Sequence, residues 1–265
     1  MELSKRLQAV ADLLDSHTEI ADIGCDHGFV SIYLIESKKA SRCLALDVNK
    51  GPLERAKEHV IEKRLSTYIE TRLSDGAKEI RYVKDEYGND RLEVQAALIA
   101  GMGGRLMIQI LEDSLDKFQN MDEFILQPQS EIAKVRQFVR KMAYHIEKED
   151  MILEDGKYYP MMKVVRGKCG LNESVNMPKK ILEEIENGVL EQTELQEIFD
   201  EYGEYLLREK HPVLLQYLQK ERELYQGILK KLTNMDTEKS EVRQAEIKEK
   251  LKVINRGLEW FDDEM

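Results

Sequence analysis

The sequence predicts a doubly wound α/β domain followed by a helical coiled-coil domain, on three observations. The apolar run Ile20-Ala21-Asp22-Ile23 ends in a small-residue turn, Gly24-Cys25-Asp26-His27-Gly28. A second run, Cys43-Leu44-Ala45-Leu46, closes on Asp47, 25 positions after Asp22. That interval suits a βαβ unit, whose first strand meets a ligand at its carboxyl end and whose second carries the acid that reaches ribose hydroxyls. From about residue 168 the strand-helix alternation gives way to long amphipathic stretches.

Leu3 to Leu14 forms the first expected helix, with Leu3, Leu7, Val10 and Leu14 on one face and Ser4 as its N-cap. Strand one takes Ile20 to Ile23, a helix follows over Val30 to Ser37, and strand two is Cys43 to Leu46. Pro52 stands where a first-turn proline opens the helix Leu53 to Lys63. Strand three, Thr67 to Arg72, runs into Leu73-Ser74-Asp75-Gly76. Residues 81–93 carry Tyr87-Gly88-Asn89-Asp90 among charges and read as a surface excursion, a hairpin by its turn residues. Ala96 to Ala100 is apolar without interruption, as a strand buried on both faces requires. Gly101-Met102-Gly103-Gly104 then opens a helix at Arg105 to Leu111. The next strand, Phe124 to Leu126, ends at Gln127-Pro128-Gln129. A helix from Glu131 to Tyr144 buries Ile132, Val135, Phe138, Val139 and Met142. Ile146 to Leu153 and Tyr158 to Val165 flank Asp155-Gly156, a hairpin signal.

These elements assign residues 1–167 to the α/β domain and 168–265 to the helical one. Gly167 to Gly188 reads as a linker ending in a charged helix. Beyond it, Leu218, Tyr225 and Leu232 repeat every seven, with Leu214 and Ile228 between them. Ile247, Leu251, Ile254 and Leu258 step by four, three and four after the polar turn Thr233 to Glu238. An antiparallel hairpin of coiled-coil type is expected, acting in packing rather than chemistry.

The chain's 265 residues, 42% of them hydrophobic, suffice for a core, and no apolar run approaches the roughly 20 residues that span a bilayer. No membrane association is expected. The N-terminus lacks a signal-peptide apolar core, and the three cysteines, Cys25, Cys43 and Cys169, have no metal spacing and cannot all pair. A cytoplasmic, metal-free protein is the expectation, with a monomer favoured. The net charge of −11 divides unevenly: 26 basic against 29 acidic side chains in residues 1–170, 14 against 22 in residues 171–265. The acidity therefore sits in the tail, which weakens a nucleic-acid reading without excluding it, since phosphate binding depends on local patches.

Glycine placement decides which nucleoside the first loop suits. A dinucleotide site needs G-x-G-x-x-G, so that backbone amides and a helix N-terminus reach the pyrophosphate. Here the pattern is D-x-G-x-x-x-G, with Asp26 in place of the middle glycine. A carboxylate there repels pyrophosphate and accepts hydrogen bonds from an ammonium group. S-adenosylmethionine, with an amine, a sulfonium cation and no phosphate, fits better than NAD. After strand three, Asp75-Gly76 either places a carboxylate to take the exocyclic amine of adenine or forms a simple type I turn. Three glycines among residues 101–104 point to positive φ values or a ligand pressed on the backbone, the alternative being close packing of the next helix. His27 beside Asp26 is an acid/base candidate, a hydrogen-bonded structural histidine at a helix start being the alternative, whereas His17, His59, His145 and His211 are scattered. Lys134, Arg136, Arg140 and Lys141, with Lys5 and Arg6, are the candidate RNA contacts, a solvated face explaining them equally well.

In order along the chain, Leu3-Ser4-Lys5-Arg6-Leu7, Ala21-Asp22-Ile23-Gly24-Cys25-Asp26-His27-Gly28 and Arg72-Leu73-Ser74-Asp75-Gly76 resemble a known family. Ile99-Ala100-Gly101-Met102-Gly103-Gly104, Leu126-Gln127-Pro128, Glu154-Asp155-Gly156-Lys157, and Tyr202-Gly203 with Leu206, Leu207, His211 and Pro212 continue the match over essentially the whole chain. The family is that of the bacterial tRNA adenine-N1-methyltransferases acting on adenine 22. The resemblance implies a class I methyltransferase fold, Rossmann-like, with seven strands of which the last is antiparallel, S-adenosylmethionine as cofactor and tRNA as substrate. By position it makes Asp22, Gly24, Asp26, Asp47, Asp75, Gly76 and Gly101 the cofactor-binding residues. Asp26, His27 and Met102 become the candidates for the reacting centre, and Lys5, Arg6, Arg136 and Arg140 remain the RNA candidates. This chain departs from the family in Gly28-Phe29, where alanine and tyrosine are frequent, in Gln129 for asparagine, and in the 81–93 excursion. A class I methyltransferase with another acceptor, and a catalytically silent RNA-binding protein of the same fold, are the alternatives.

Overall fold

A computed structural model of the chain describes residues 3–142, 144–167, 176–233 and 238–262. Contacts divide it into two compact units, Met1–Cys169 and Gly170–Met265.

The first unit carries α1 (Lys5–Leu13), β1 (His17–Ile23), α2 (Phe29–Glu36), β2 (Ala40–Asp47), α3 (Lys50–Glu62) and β3 (Ile69–Leu73). There follow β4 (Tyr82–Lys84), β5 (Asp90–Leu92), β6 (Ala96–Met102), α4 (Gly104–Asp113), α5 (Leu115–Phe118), β7 (Glu123–Pro128), α6 (Ile132–Lys141), β8 (Tyr144–Glu154) and β9 (Lys157–Arg166). Seven strands form one sheet in the order β3-β2-β1-β6-β7-β9-β8. All neighbours are parallel except β9, which runs antiparallel to β7 and to β8. The chain winds outward from β1 to β3, then crosses to β6 on the other side of β1. The strand order therefore reverses between β1 and β6, where open α/β sheets bind ligands.

Both faces of the sheet are apolar because alternate residues of each central strand face different helices. Ile20, Ala96, Leu98 and Ile125 pack with Val10, Leu14, Ile32 and Val60 from α1, α2 and α3. Ala21, Ile23, Ala97, Ile99 and Phe124 pack with Met107, Ile110, Val135 and Val139 from α4 and α6. Ser4 caps α1 through its hydroxyl, which accepts from Leu7 N, as the sequence predicts. The excursion forms the hairpin β4–β5 beside the main sheet, tied down by Arg91 on Glu19 at 2.9 Å.

The second unit contains α7 (Lys179–Glu186), α8 (Gln192–Tyr202), α9 (Glu204–Arg208), α10 (Pro212–Leu232) and α11 (Glu238–Leu258). The expected linker falls partly on residues 168–175, outside the described residues. Helices α10 and α11 form the expected hairpin, with Leu214, Leu218, Ile247 and Ile254 buried. A Cβ at Gly257, near the end of α11, would meet Leu218, near the start of α10, at 3.3 Å, so the two run antiparallel. Helices α8 and α9 were not expected. They cover Trp260, fully buried and packed edge-on against Phe199 at 5.6 Å.

Candidate functional site

A cleft of about 400 Å³ opens at the carboxyl ends of β1, β2, β3 and β6, at the reversal of strand order. Asp22, Gly24, Asp26, His27, Asp47, Asp75, Gly76, Gly101 and Met102 all line it, and so does Arg6.

The first loop is a backbone knot. Gly24 and Asp26 hold φ of +77° and +49°, and Gly28 +72° as the residue entering α2. Gly24 N and Cys25 N both donate to the Leu46 carbonyl, at 2.8 and 2.9 Å. Asp26 N donates to Asp47 Oδ2 at 3.1 Å, and Gly28 N to the Cys25 carbonyl at 2.7 Å. Four amides of the loop are thus spent within the protein, and a diphosphate finds no cradle there. Any Cβ at Gly24 would lie 2.0 Å from the Met102 methyl carbon, so the loop and the β6 turn approach as closely as glycine allows.

Asp22 is 3% exposed and accepts from Ser31 N and Oγ at 3.2 and 2.6 Å. Burial pushes its carboxyl up to about 6, the Ser31 hydrogen bonds opposing the rise and the charges of Asp47 and Asp26 adding to it. Asp47, at the end of β2, also accepts from Asn49 N at 2.8 Å, which fixes its carboxylate over the loop. Asp75 and Gly76 follow β3, with Gly76 at φ +61° and Lys78 paired to the Asp75 carboxylate. Cys25 is buried among these acids and its thiol is held far above the usual range, so it offers no thiolate nucleophile.

Glycines 101–104 divide their work. The register of β6 on β7 slips between Ala100 and Met102, and Gly101 in the slip has φ +78°. Its amide donates to Gln127 Oε1 at 3.1 Å. Gly104 instead packs: a Cβ there would meet the Ser130 carbonyl oxygen at 2.4 Å. The positive φ is found at Gly101 and the close packing at Gly104.

Asp26 is largely exposed, and its Oδ1 lies 3.6 Å from His27 Nε2, too far for a hydrogen bond. The His27 ring stacks on Phe29 at 5.5 Å and 14°, and Phe29 on His59 at 5.0 Å and 22°. His59 Nδ1 donates to the His27 carbonyl at 2.9 Å, which fixes its tautomer when neutral. His59, scattered in sequence, is therefore part of an aromatic wall that Gly28 makes possible, since a Cβ there would press on Ala56 at 3.0 Å. Spacing carries no sign of this: α3 brings His59 to α2 only in the folded unit.

The RNA candidates separate. Lys5 is exposed at the start of α1, its amide donating to Glu154 Oε1 at 2.7 Å. Arg140 is exposed on α6 and does not line the cleft. Arg136 corrects the sequence expectation: it is 4% exposed, with Nε donating to buried Glu149 at 2.8 Å. Strand β8 covers the α6 face that periodicity assigns to solvent. Arg6 and Gln129 line the cleft, and buried Gln127 accepts from Arg6 Nη1; the sequence left both glutamines without a role.

A doubly wound sheet with a glycine-and-aspartate cleft at its switch point defines a nucleoside-binding α/β protein whose loop is built against phosphate. The chain belongs to the methyltransferase-domain family, whose model matches residues 3–162. It is 28% identical over 261 residues to the tRNA (adenine(22)-N(1))-methyltransferase of Bacillus subtilis, covering 98% of both chains. The crystal structure of the B. subtilis M1A22 tRNA methyltransferase TrmK superposes with a TM-score of 0.74 at 28% identity, over 97% of this chain and 99% of that one. A Streptococcus pneumoniae protein solved in complex with S-adenosyl-L-methionine superposes with a TM-score of 0.74 at 26% identity, over 97% of this chain and all of that one.

Proposed function

We propose that the protein transfers a methyl group from S-adenosylmethionine to N1 of adenine 22 in tRNA. The observation that carries the cofactor assignment is the loop whose amides are spent on Leu46, Asp47 and Cys25 while four carboxylates line the cleft around it. That donor set suits a ligand with cationic groups and ribose hydroxyls and no phosphate. The end-to-end similarity to the B. subtilis enzyme supports the acceptor.

The residues fit the cofactor. Asp47 would take the ribose hydroxyls, Asp75 and Gly76 the adenine, and Asp22, Gly24 and Gly101 the amino-acid end. Bound there, S-adenosylmethionine supplies an electrophilic methyl group on a sulfonium centre. Adenine N1 has a free lone pair, so the protein need not remove a proton from it before transfer. The methylated base is cationic until its exocyclic amine loses a proton. Asp26, exposed at the cleft, stabilises that positive charge, and Met102 bounds the space for the base. His27 shapes the rim through its stack on Phe29, with its Nε2 3.6 Å from Asp26 Oδ1. Because N1 lies on the Watson-Crick edge, the base must be unpaired or extruded before it enters. Lys5 and Arg140 are the exposed cations assigned to RNA backbone contact. Residues 168–265 are assigned as the domain that holds the folded tRNA. We assign the protein to the cytoplasm, where tRNA is modified.

Incubation with methyl-labelled S-adenosylmethionine and unmodified tRNA tests the reading. Label in the RNA fraction is expected. Transfer confined to small-molecule or protein acceptors would overturn the substrate assignment, and no cofactor binding would leave a silent RNA-binding protein of this fold.

A further inference from the structure

Arg6 is half-buried in the cleft, yet none of the described carboxylates pairs with it. Among the described residues its single side-chain hydrogen bond goes from Nη1 to Gln127 Oε1, at 2.8 Å. A guanidinium has five donors, so four remain. Gln127 is fully buried, and the same oxygen accepts from Gly101 N at 3.1 Å. The guanidinium also lies 5.3 Å from the centre of the Tyr159 ring, which holds its plane. A Cβ at Gly101 would stand 3.5 Å from Nη1, so Arg6 sits against the β6 turn next to Met102. Desolvating a cation without an anion is unfavourable, and a neutral amide compensates only in part.

We infer that Arg6, oriented by Gln127 and Tyr159, binds the α-carboxylate of the cofactor's amino-acid end. The inference rests on the cofactor reading above and adds a residue to it. Of the lining carboxylates, Asp22 is assigned above to the ligand's amino-acid end, Asp47 to its ribose hydroxyls and Asp75 to its adenine, and none of them can take an anion. The ligand has one anionic group, and Arg6 is the one lining guanidinium or ammonium among the described residues. Charge matching assigns each to the other, with bidentate geometry available to the planar fork. Arg6 then belongs to cofactor binding rather than to the RNA surface.

Calorimetric titration of the full chain with two ligands separates the outcomes. S-adenosylhomocysteine has the carboxylate; S-adenosyl-3-thiopropylamine keeps the adenosine, thioether and amine and lacks it. In Arg6→Gln, affinity for S-adenosylhomocysteine falls about 10- to 100-fold, as loss of a charged hydrogen-bonded pair requires, and affinity for the amine changes by less than about twofold. Arg6→Lys keeps the charge without the fork and falls between. Equal losses for both ligands would make Arg6 a packing residue and overturn the assignment. Unchanged S-adenosylhomocysteine affinity with a raised KM for tRNA would return Arg6 to the RNA surface and overturn it too. If the wild-type protein bound neither ligand, the cofactor reading would fall and this assignment with it.

Discussion

Replacing Gly104 with alanine separates the two jobs given to the glycines after β6. Its new Cβ would lie 2.4 Å from the Ser130 carbonyl oxygen, 3.0 Å from Val135 Cγ2 and 3.1 Å from Glu131 Cβ. The first of these is backbone, so relief requires α4 to move off the turn before α6. The Gly104 amide donates to that same oxygen at 3.0 Å, and the movement stretches this bond. Overpacking contributes about 1–3 kcal/mol and a weakened buried hydrogen bond about 1–3 kcal/mol, against a gain of up to about 1 kcal/mol in helix propensity. Gly104→Ala should therefore lose about 1–6 kcal/mol in urea unfolding at unchanged slope. Gly101→Ala has no neighbour nearer than 3.5 Å, and its penalty is the left-handed φ of +78°, about 1–2 kcal/mol. Its methyl group points toward Arg6 and Gln129 in the cleft, so it should weaken S-adenosylhomocysteine binding more than Gly104→Ala does. A Gly104→Ala protein as stable as wild type would refute the packing argument.

Asp26→Ala should bind S-adenosylhomocysteine and tRNA normally and lower kcat about 100-fold, since it removes an interaction made in the transition state; wild-type turnover would remove Asp26 from the mechanism. Arg136→Met removes the buried Nε–Glu149 ion pair and should destabilise the fold by about 3–5 kcal/mol while sparing tRNA affinity, read by urea unfolding and filter binding. The hydrogen bond to Glu123 holds the His17 imidazole above its usual value. A raised folded value means that its stabilisation is complete below pH 6.5 and is lost as pH rises through the folded value. His17→Gln should flatten the dependence of the urea midpoint on pH from about 6 upward, and an unaltered slope would contradict the pairing.

The sequence made the site legible where chemistry is local. An apolar strand must end before a ligand loop, so Asp22, Gly24, Asp47, Asp75 and Gly101 could be placed on strand ends without knowing the fold. Hidden features depend on which elements meet. Arg136 looks solvent-facing until β8 covers α6, and Arg6 looks like a surface charge until α1 lies against the carboxyl ends of β6 and β7. His59 joins His27 and Phe29 only because α3 packs beside α2. Strand β1 begins three residues before its apolar run because His17 is satisfied by Glu123 of β7, a tertiary pairing with no sequence signature. Helices α8 and α9 carry no clear sequence signature because their apolar residues cover Trp260 rather than forming a long periodic stripe.

Nucleoside analysis of tRNA after incubation with the protein and S-adenosylmethionine tests the central claim most directly. N1-methyladenosine should appear in a transcript carrying adenine 22 and vanish when that base is replaced by guanine. Methylation that persists in the guanine transcript, or a different methylated nucleoside, would contradict the account.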